Sequence, residues 1–507
     1  MDSELSRQIL DIIRVKDTEN FDDVIAGMND WQMSYHLGSL RKAFLHGFVF
    51  NGKRALEVGP GFGALTGMLL DHFDSVDVLE PSPVCIEGLK TRYRHRQNLN
   101  VIAEPEKGQK YDLILAIDCL DRTGTDRGKT LRELKGLLAE DGTLICNFHN
   151  RLGIRYLCGC QDSFVPQPFL LYRPGALLSR SETVQLLKDA LDDDFCMYYP
   201  VPDSSWCQML FSDDDMPSGS IRDRLLSYDP FGNTQVVYEP DLYDDLLKEG
   251  VFGTFANEFL IQYQAGEEQS PQVTSAVISA DREQPRAYGI SFLSDGTVRK
   301  SALYQEGTAS LAAMQENMET LRDRGIPVIR EALIQNDVIM PRYHLPTLQN
   351  CLLSIAEEGK EQLEKVFDRM YEMILRSSET IRNEGCGPIL QTGYIDMIPL
   401  NIFFDGHEFL YFDQEFTMPE CPAAYIIFRA VLYAWLLIPD LEKHYPREEM
   451  EKRFHLTGYL QNYQEMENAF VGVNRQWQKF KQYYNWQNQP QRAEENRRRL
   501  RGKQKHD

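Results

Sequence analysis

The sequence is poor in positive charge, and this deficit limits what the protein can bind. Its 507 residues carry 54 Lys and Arg against 76 Asp and Glu, a formal net charge of −22 at pH 7. A negative field of this size repels phosphate backbones, so we do not expect nucleic acid as the main ligand. Basic residues cluster only at 497–503, which leaves open a contact between the C-terminal tail and anionic lipid.

Two further absences bear on location. Residues 1–13 carry acids and lack the apolar core of a secretory signal. The longest apolar run, 423–438, contains Arg429 and is shorter than the roughly 20 residues that span a bilayer, so it predicts a buried helix. We therefore expect a cytoplasmic protein, and the basic tail allows peripheral contact at the inner face of the membrane.

Paired cysteines are also lacking. The ten cysteines show no framework spacing, which fits a reducing compartment. Cys158 and Cys160 form a C-x-C motif, but no second Cys or His pair stands at zinc spacing. Free thiols are therefore favoured over a structural metal.

Composition and patterning indicate several folded domains. Apolar residues make up 42% and charged residues 26%, as in folded proteins, and the length suggests about two to four domains. Short apolar runs alternate with amphipathic stretches over 51–160, which predicts βαβ units and a mostly parallel sheet. The other predicted regions are an N-terminal helical region at 1–50, a cap completing the first domain at 161–268, an α+β domain at 272–440 and a helical, basic-ended tail at 441–507.

Within the α+β region the pattern predicts an antiparallel start and a helical continuation. Three strands are predicted at 274–280, 287–292 and 297–303, followed by helices at 309–324 and 357–383. The tail keeps a heptad-like spacing of large apolar residues, which suits either a coiled coil in a homo-oligomer or a helix packed on the preceding domain. These residues are Tyr459, Tyr463, Met466, Phe470, Val473, Trp477 and Phe480.

A glycine-rich turn carries the first chemical signal. Glu57 ends an apolar run, and Gly59, Gly61 and Gly63 follow before an amphipathic helix. Glycines allow a ligand to lie against the backbone, close to the partial positive charge of a helix N-terminus. Alone, the motif does not separate a dinucleotide from a nucleoside ligand. Glu80 closes the second predicted strand, where a carboxylate can accept hydrogen bonds from both ribose hydroxyls.

The order of these features resembles that of class I S-adenosylmethionine-dependent methyltransferases over about residues 35–160. The matching features are E-x-G-x-G-x-G, an acid closing strand two, Y-D-L-I at strand four and a D-G turn before strand five. The resemblance implies a Rossmann-like fold and S-adenosylmethionine as cofactor. It assigns the cofactor site to Tyr35, His36, Glu57, Gly59, Gly61, Gly63, Glu80, Glu104 and Asp118, with Glu80 on the ribose and Glu104 near the adenine.

Candidate catalytic residues lie at the C-terminal edge of the predicted sheet. Asp118, Asp121 and His149 are placed there by topology. Methyl transfer depends mainly on alignment, and it requires a general base only if the nucleophile must lose a proton. The motif is also similar to that of RNA adenine dimethyltransferases, but their N-x-P-Y type signature is replaced here by 118–121, Asp-Cys-Leu-Asp.

A second constellation has the spacing of a phosphoryl-transfer site. Asp396 is followed by Asn401, and Asp413 ends the next predicted strand. In such sites the first Asp acts on the hydroxyl, while the Asn and the second Asp hold magnesium. Lys300 lies on the third predicted strand, and Glu319 or Glu316 on the next helix offers a carboxylate to pair with it.

Residues 272–440 therefore resemble the protein-kinase-like fold in its small-molecule-kinase form, such as aminoglycoside and choline kinases. That resemblance implies ATP and magnesium, with Asp396 catalytic, Asn401 and Asp413 on the metal, and Lys300 and Glu319 at the nucleotide. The chain departs from the pattern because no G-x-G-x-x-G stands between the first two strands. A binding-only pseudokinase thus remains an alternative.

The domain order resembles bacterial methyltransferase-kinase fusions that modify surface polysaccharides. This resemblance implies a saccharide or saccharide-phosphate acceptor, phosphorylated by the second domain and methylated by the first. It also implies a C-terminal helical region used for assembly or for membrane attachment. The weakest alternative is a dinucleotide-dependent oxidoreductase, since Y-D-L-I and the D-G turn have no role in one.

Overall fold

The computed structural model describes residues 3–28, 30–121, 126–161, 177–192, 195–217, 219–222, 234–266, 272–279, 281–475 and 489–503. The chain divides into two compact units. The first unit consists of Met1–Asp281, Gly289–Asp295 and Trp477–Asp507. The second unit consists of Arg282–Tyr288 and Gly296–Gln476.

The first unit is built on one large sheet. Its strands are β1 Arg54–Val58, β2 Ser75–Leu79, β3 Leu99–Ile102, β4 Tyr111–Ala116, β5 Leu138–His149, β6 Phe195–Val201, β7 Met209–Ser212, β8 Glu258–Gln264, β9 Val273–Ile278 and β10 Tyr288–Leu293. Their order across the sheet is β10-β9-β7-β6-β8-β5-β4-β1-β2-β3. The part β3-β2-β1-β4-β5 is parallel, as the sequence predicts, while β8 and β6 continue it in antiparallel pairing.

Helices accompany this sheet, and several of them begin at side-chain caps. They are α1 Ser3–Val15, α2 Asp22–Ile25, α3 Trp31–Leu37, α4 Thr66–His72, α5 Pro83–Arg92, α6 Arg127–Gly136, α7 Ile154–Leu157, α8 Arg180–Leu191, α9 Tyr243–Lys248 and α10 Phe252–Phe255, with a further helix at Gln489–Lys503. Asp30 caps α3 by accepting from the backbone N–H groups of Gln32 and Met33. Ser82 caps α5, and Pro83 at its first position has no N–H to satisfy.

The central parallel strands β1, β2 and β4 are buried on both faces, whereas β3 at the edge is only partly buried. In β4 the residues Leu113, Ile114 and Leu115 are all buried. The fifth strand starts earlier than the sequence predicts, at Leu138, and includes the D-G pair at 141–142. A register shift in the β4–β5 pairing accommodates that extension.

The second unit combines antiparallel strands with a helical core. Its strands are β11 Thr297–Ala302, β12 Ala332–Ile334, β13 Asp337–Pro341, β14 Thr380–Glu384, β15 Gly387–Tyr394, β16 Ile402–Phe404, β17 Phe409–Tyr411 and β18 Thr417–Pro422. Its helices are α11 Gly307–Asp323, α12 Leu348–Glu358, α13 Lys360–Ser377, α14 Ala423–Leu437, α15 Leu441–His444, α16 Arg447–Arg453 and α17 Leu460–Asn474. Antiparallel pairing joins β12 to β13 and β13 to β11, β14 to β15 and β15 to β18, and β16 to β17.

The predicted buried helix at 423–438 is confirmed as α14, whereas the single helix predicted at 357–383 is wrong. Gly359, at φ +136°, separates α12 from α13. Residues beyond Ser377 form β14 instead, where Thr and Ile favour an extended backbone. A single apolar periodicity across 357–377 concealed both boundaries because α12 and α13 face the same core.

The tail helix α17 packs on the core of the second unit. Tyr463 is buried in that core, and the ring of Phe470 contacts that of Phe416 edge to face at 4.9 Å. Val473 is exposed, and Trp477 and Phe480 lie outside the described residues. Packing, one of the two predicted roles of this spacing, is therefore observed for the first part of the tail.

The structure also bears on the expected thiols and membrane contacts. All ten cysteines are present as thiols and not as disulfides. Across the described ranges, no helix has both the length and the apolarity that crossing a bilayer demands.

A buried ion pair holds α17 to α14 and generates a stability prediction. Arg429 Nε donates to Glu467 Oε2 at 2.7 Å, and the hydroxyls of Tyr425 and Tyr433 also donate to Glu467. Removing one partner of a buried ion pair leaves the other charge buried without that partner. We therefore expect Glu467→Ala to lower the free energy of unfolding by about 3 kcal/mol. Calorimetric unfolding of the full chain measures this loss.

The matched control is an exposed ion pair in the same unit. Lys360 Nζ lies 2.9 Å from a carboxylate oxygen of Glu449, with both side chains about half exposed. We expect Glu449→Ala to cost less than about 1 kcal/mol, because water screens such pairs. Equal losses in the two variants would contradict the role assigned to Glu467.

Candidate functional site

The glycine turn between β1 and α4 adopts a backbone that side chains disfavour. Gly59, Gly61 and Gly63 have φ angles of +72°, +55° and +81°. A Cβ on Gly63 would lie 2.7 Å from a methyl of Leu89, so glycine is also required there for packing. At Gly61 a Cβ would have its nearest neighbour, His36 Nδ1, at 4.0 Å, so this face of the turn is open.

Glu80 ties the turn to the end of β2. The backbone N–H of Gly61 donates to Glu80 Oε2 at 2.9 Å, and that of Ser82 donates to Oε1 at 2.9 Å. Burial raises the pKa of the Glu80 carboxyl, and the two backbone hydrogen bonds oppose that shift. The half-buried carboxylate therefore stands beside the turn, as the sequence predicts for a ribose ligand.

Glu57 lies deeper, beneath the turn. Its side chain is buried, and Thr66 Oγ1 donates to its Oε2 at 2.6 Å. Burial raises the pKa of Glu57 to about 7, although the Thr66 hydrogen bond acts in the opposite direction. Glu57 is thus poised between its neutral and ionised forms near physiological pH.

An open cavity runs from this turn to the end of β4. It is lined by Tyr35, His36, Arg41, Glu57, Val58, Gly59, Pro60, Gly61, Ala64, Leu65, Leu115, Ile117 and Asp118. The structure therefore gathers Tyr35, His36, Glu57, Gly59, Gly61 and Asp118, all predicted at the cofactor, around one space. Glu104 is exposed and is not among the described residues that line it.

Several donors hold the side chain of Asp118 in the cavity wall. Its backbone is left-handed, at φ +56°, an uncommon conformation for a residue other than glycine. The Tyr35 hydroxyl donates to Asp118 Oδ2 at 2.5 Å, and Arg41 Nη2 donates to the same oxygen at 3.1 Å. Asn147 Nδ2 donates to Oδ1 at 2.8 Å, so both carboxylate oxygens of Asp118 accept hydrogen bonds.

His149, at the end of β5, is surrounded by carboxylates. Its Nε2 lies 3.6 Å from Asp118 Oδ1 and its Nδ1 lies 3.4 Å from Asp121 Oδ2. Burial alone would lower the pKa of His149, but the hydrogen bond with Asp121 and the charges of Asp118, Glu258 and Asp121 raise it to about 10. The surrounding carboxylates therefore favour the protonated, cationic imidazole at neutral pH.

Sequence reasoning missed three residues of this site. Arg41 lies on a 3-10 turn and stacks on the Tyr35 ring, with its guanidinium carbon 4.2 Å from the ring centroid. Asn147 and Glu258 lie on β5 and β8, and Asn147 Nδ2 donates to Glu258 Oε1 at 2.6 Å. No local motif marks them, and only the β5–β8 register brings Glu258 to this edge.

The second unit brings the predicted phosphoryl-transfer residues around a cavity of about 180 Å³. Asp396, Asn401 and Asp413 all line it, and Asn401 Nδ2 donates to the backbone carbonyl of Asp396 at 3.2 Å. Burial raises the pKa of Asp396 to about 6, with Arg429 opposing the shift. Arg429 also lines the cavity, and its Nη1 lies 3.4 Å from Asp396 Oδ1.

Lys300 is paired with different acids than the sequence predicts. Its ammonium contacts Asp413 and lies 2.5 Å from Glu415 Oε1. Glu319 instead accepts from Gln315 Nε2 at 3.1 Å. Burial alone would raise the pKa of Glu415, but Lys300 and Arg282 lower it to about 2. Glu415, which stands two residues after Asp413, is therefore a second carboxylate partner of Lys300 and also pairs with Arg282.

The match to a known protein family lies in the first unit. Residues 32–210 match a family model described as a methyltransferase domain. No curated protein matches the chain. The plantazolicin methyltransferase BpumL, solved in complex with S-adenosylhomocysteine (SAH), is 14% identical, and the match covers 52% of this chain and 90% of that one at a TM-score of 0.29.

Two further solved structures show similar coverage. The N-methyltransferase NodS from Bradyrhizobium japonicum WM9 is 14% identical over 47% of this chain and 97% of that one, with a TM-score of 0.26. A possible histamine N-methyltransferase from Thermotoga maritima is 19% identical over 48% of this chain and 97% of that one, with a TM-score of 0.28. The family match and the glycine-turn fold together identify residues 32–210 as a class I S-adenosylmethionine-dependent methyltransferase domain.

The buried carboxyl of Glu57 predicts a pH-dependent stability. Its pKa in the folded chain, about 7, is above its ordinary value of 4.5, so the folded state binds the proton more tightly. The contribution of Glu57 to the free energy of unfolding is then fully present below about pH 4.5. It is lost as the pH rises through 7, which lowers the free energy of unfolding by about 3 kcal/mol. Glu57→Gln keeps a neutral side chain at all pH values, so we expect it to be more stable than wild type at pH 8 and similar at pH 5.

Unfolding temperatures of the cofactor-free protein between pH 5 and 8 measure this difference. Glu104→Gln, which changes an exposed carboxylate of the same unit, is the control. Parallel stability curves for wild type and Glu57→Gln would show that Glu57 does not carry the effect.

Proposed function

We propose that the chain methylates a saccharide phosphate, or the saccharide itself, in bacterial glycan biosynthesis, and that its second unit phosphorylates the same acceptor. The observation that supports the acceptor class is the position of His149 between the carboxylates of Asp118, which lines the methyltransferase cavity, and Asp121, because these carboxylates favour the protonated imidazole. The unphosphorylated saccharide and a second unit that only binds its ligand are the alternatives.

The residues around the glycine turn fit S-adenosylmethionine. When bound, this cofactor supplies an electrophilic methyl group on a sulfonium. Gly61 leaves its face of the turn open to the cavity, and Gly59 and Gly61 would line the methionine part. Glu80 would accept hydrogen bonds from the ribose hydroxyls, and Tyr35 and His36 would close the cavity from α3.

The acceptor would lie where β4 and β5 end. A protonated His149 cannot take a proton from a hydroxyl, but it can donate a hydrogen bond to an oxygen that is already anionic. A phosphate monoester provides such an oxygen because its second pKa is about 6. Arg41, on the cavity wall, is a second cation at this end. The site therefore favours a nucleophile that needs no general base.

The pH dependence of methyl transfer distinguishes the two acceptors. With hexose phosphates we expect the rate to rise through about pH 6, where the phosphate becomes a dianion, and then to stay level to about pH 9. His149→Gln should lower kcat/KM about tenfold, because a charge-assisted hydrogen bond is lost. The transfer of labelled methyl groups to hexose phosphates and to the parent hexoses provides the measurement.

Affinity for SAH is the control in that experiment, and we expect His149→Gln to leave it unchanged. Methylation of the parent hexose alone, at a rate that climbs up to pH 10, would instead assign His149 as a general base and remove the phosphate from the proposal.

The geometry of the second unit supports phosphoryl transfer. Asp396, with its pKa near 6, would accept the hydroxyl proton, while Asn401 and Asp413 would hold magnesium. Lys300, next to Asp413, would neutralise the nucleotide phosphates. The ion pair between Lys300 and Glu415 favours the alternative, in which the second unit binds a ligand but does not transfer a phosphoryl group. A nucleotide would have to compete with Glu415 for the Lys300 ammonium.

Calorimetric titration of Mg-ATP into the SAH-bound chain tests this part of the proposal. We expect binding to wild type and at least a tenfold weaker affinity in Asp413→Asn, because a metal-binding carboxylate is lost. Asp405→Asn is the matched control, since an Asn side chain also accepts the turn hydrogen bonds that Asp405 receives from His407 and Glu408. Wild-type binding in Asp413→Asn, or no binding in any form, would contradict a phosphoryl-transfer site.

A further inference from the structure

Glu258 stands directly opposite His149 across the β5–β8 pairing. Residues paired in an antiparallel ladder project to the same face of the sheet, with Cβ atoms about 5 Å apart. Asn147 precedes His149 by two residues on β5, so it shares that face. One face of this strand pair therefore presents an amide, an imidazole and a carboxylate.

The hydrogen bonds of Glu258 favour its ionised carboxylate form. Its Oε1 accepts from Asn147 Nδ2 at 2.6 Å, and its Oε2 accepts from the backbone N–H of Ser204 at 3.0 Å. Both oxygens face donors, which suits the charged form. Burial raises the pKa of Glu258, and the neighbouring His149 cation opposes that shift.

Asn147 links Glu258 to Asp118 because its side chain is hydrogen-bonded to both residues. Its Oδ1 accepts the backbone N–H of Asp118 at 2.6 Å, which fixes the orientation of the amide. Its Nδ2 then points to Asp118 Oδ1 and to Glu258 Oε1, at 2.8 and 2.6 Å. The amide thus holds the Asp118 backbone in its left-handed conformation and its carboxylate at the same time.

We propose that Glu258 is a positioning residue of the methyltransferase site, which fixes Asp118 through Asn147 and completes the ring of carboxylates around His149. This residue lies outside the segment 32–210 that matches the methyltransferase family, so the acceptor side of the site is partly built by a later strand. The consequence for the acceptor rests on the proposed function, in which the His149 cation contacts an anionic oxygen.

The charges around His149 come from several elements. Asp118 and Asp121 follow β4, and Glu258 faces His149 from β8. Two arginines offset these acids at a distance from the imidazole: Arg41 pairs with Asp118, and Arg127 Nε lies 3.6 Å from Asp121 Oδ1. Because both arginines contact the acids rather than the imidazole, the loss of one carboxylate should be felt at His149.

The experiment is an NMR titration of the His149 ring in the full chain saturated with SAH. Glu258→Gln keeps the shape of the side chain but has one carbonyl oxygen, so it cannot accept from both Asn147 and Ser204. We expect the titration midpoint of His149 to fall by at least one pH unit from its wild-type value of about 10. Inorganic phosphate at pH 10 should then bind His149 about fivefold more weakly than in wild type, because the protonated fraction falls from about one half to about one tenth.

Glu239→Gln is the matched control. Glu239 is also fully buried in the first unit, where it accepts from Tyr243 and Asn257. We expect this variant to keep the wild-type midpoint of His149, which separates a general effect of removing a buried carboxylate from the specific effect of Glu258. His149→Gln assigns the resonance among the ten histidines.

Asn147→Ala provides a second variant in case Glu258→Gln does not fold, with SAH affinity as the test of folding. It removes the amide that anchors Asp118, so the midpoint of His149 should again fall. A wild-type midpoint in the folded variants would overturn the role of Glu258, whatever the acceptor is. A lowered midpoint with unchanged phosphate binding would support the positioning role and overturn the proposed contact between His149 and an anionic acceptor.

Discussion

The first unit depends on pairing the charges that are buried at the carboxyl ends of β4 and β5. An isolated buried carboxylate costs several kcal/mol, so each must find a cation or a set of N–H and O–H donors. Asp118 receives donors from α3, from the 3-10 turn that carries Arg41, and from β5. Its position therefore requires three separate segments to arrive together, and this requirement defines the end of the cavity.

The parts of the site that the sequence predicts are those encoded by short local patterns. The glycine turn and the acid that closes β2 are recognisable because a strand, a tight turn and a helix follow one another within a few residues. Asp118, Asp121 and His149 are predictable from topology, since parallel strands end at one edge. Glu258 is not predictable in this way, because its position depends on the antiparallel register between β5 and β8. No local sequence pattern indicates that register.

The second unit shows the same limit. Asp396, Asn401 and Asp413 are predicted together and line one cavity, because short strands flank each motif. The partner of Lys300 is mispredicted because side-chain pairing between distant segments is decided by packing. Glu415 is close to Lys300 and fully buried, so its charge is neutralised there, whereas Glu319 is satisfied by Gln315 within α11. Whether Lys300 serves a nucleotide then depends on the competition between phosphate and Glu415.

Two buried groups of the first unit make its stability and its charge state depend on pH in the same direction. Glu57 has a raised pKa near 7, and its contribution to stability is full below its ordinary 4.5 and lost as the pH rises through 7. His149 has a raised pKa near 10, so its contribution is full below 6.5 and lost as the pH rises through 10. Mildly acidic conditions therefore keep most of the contribution of Glu57 to stability and leave His149 charged. The three carboxylates and the imidazole therefore reduce the cost of burying one another, because the negative field of the carboxylates favours the proton on His149.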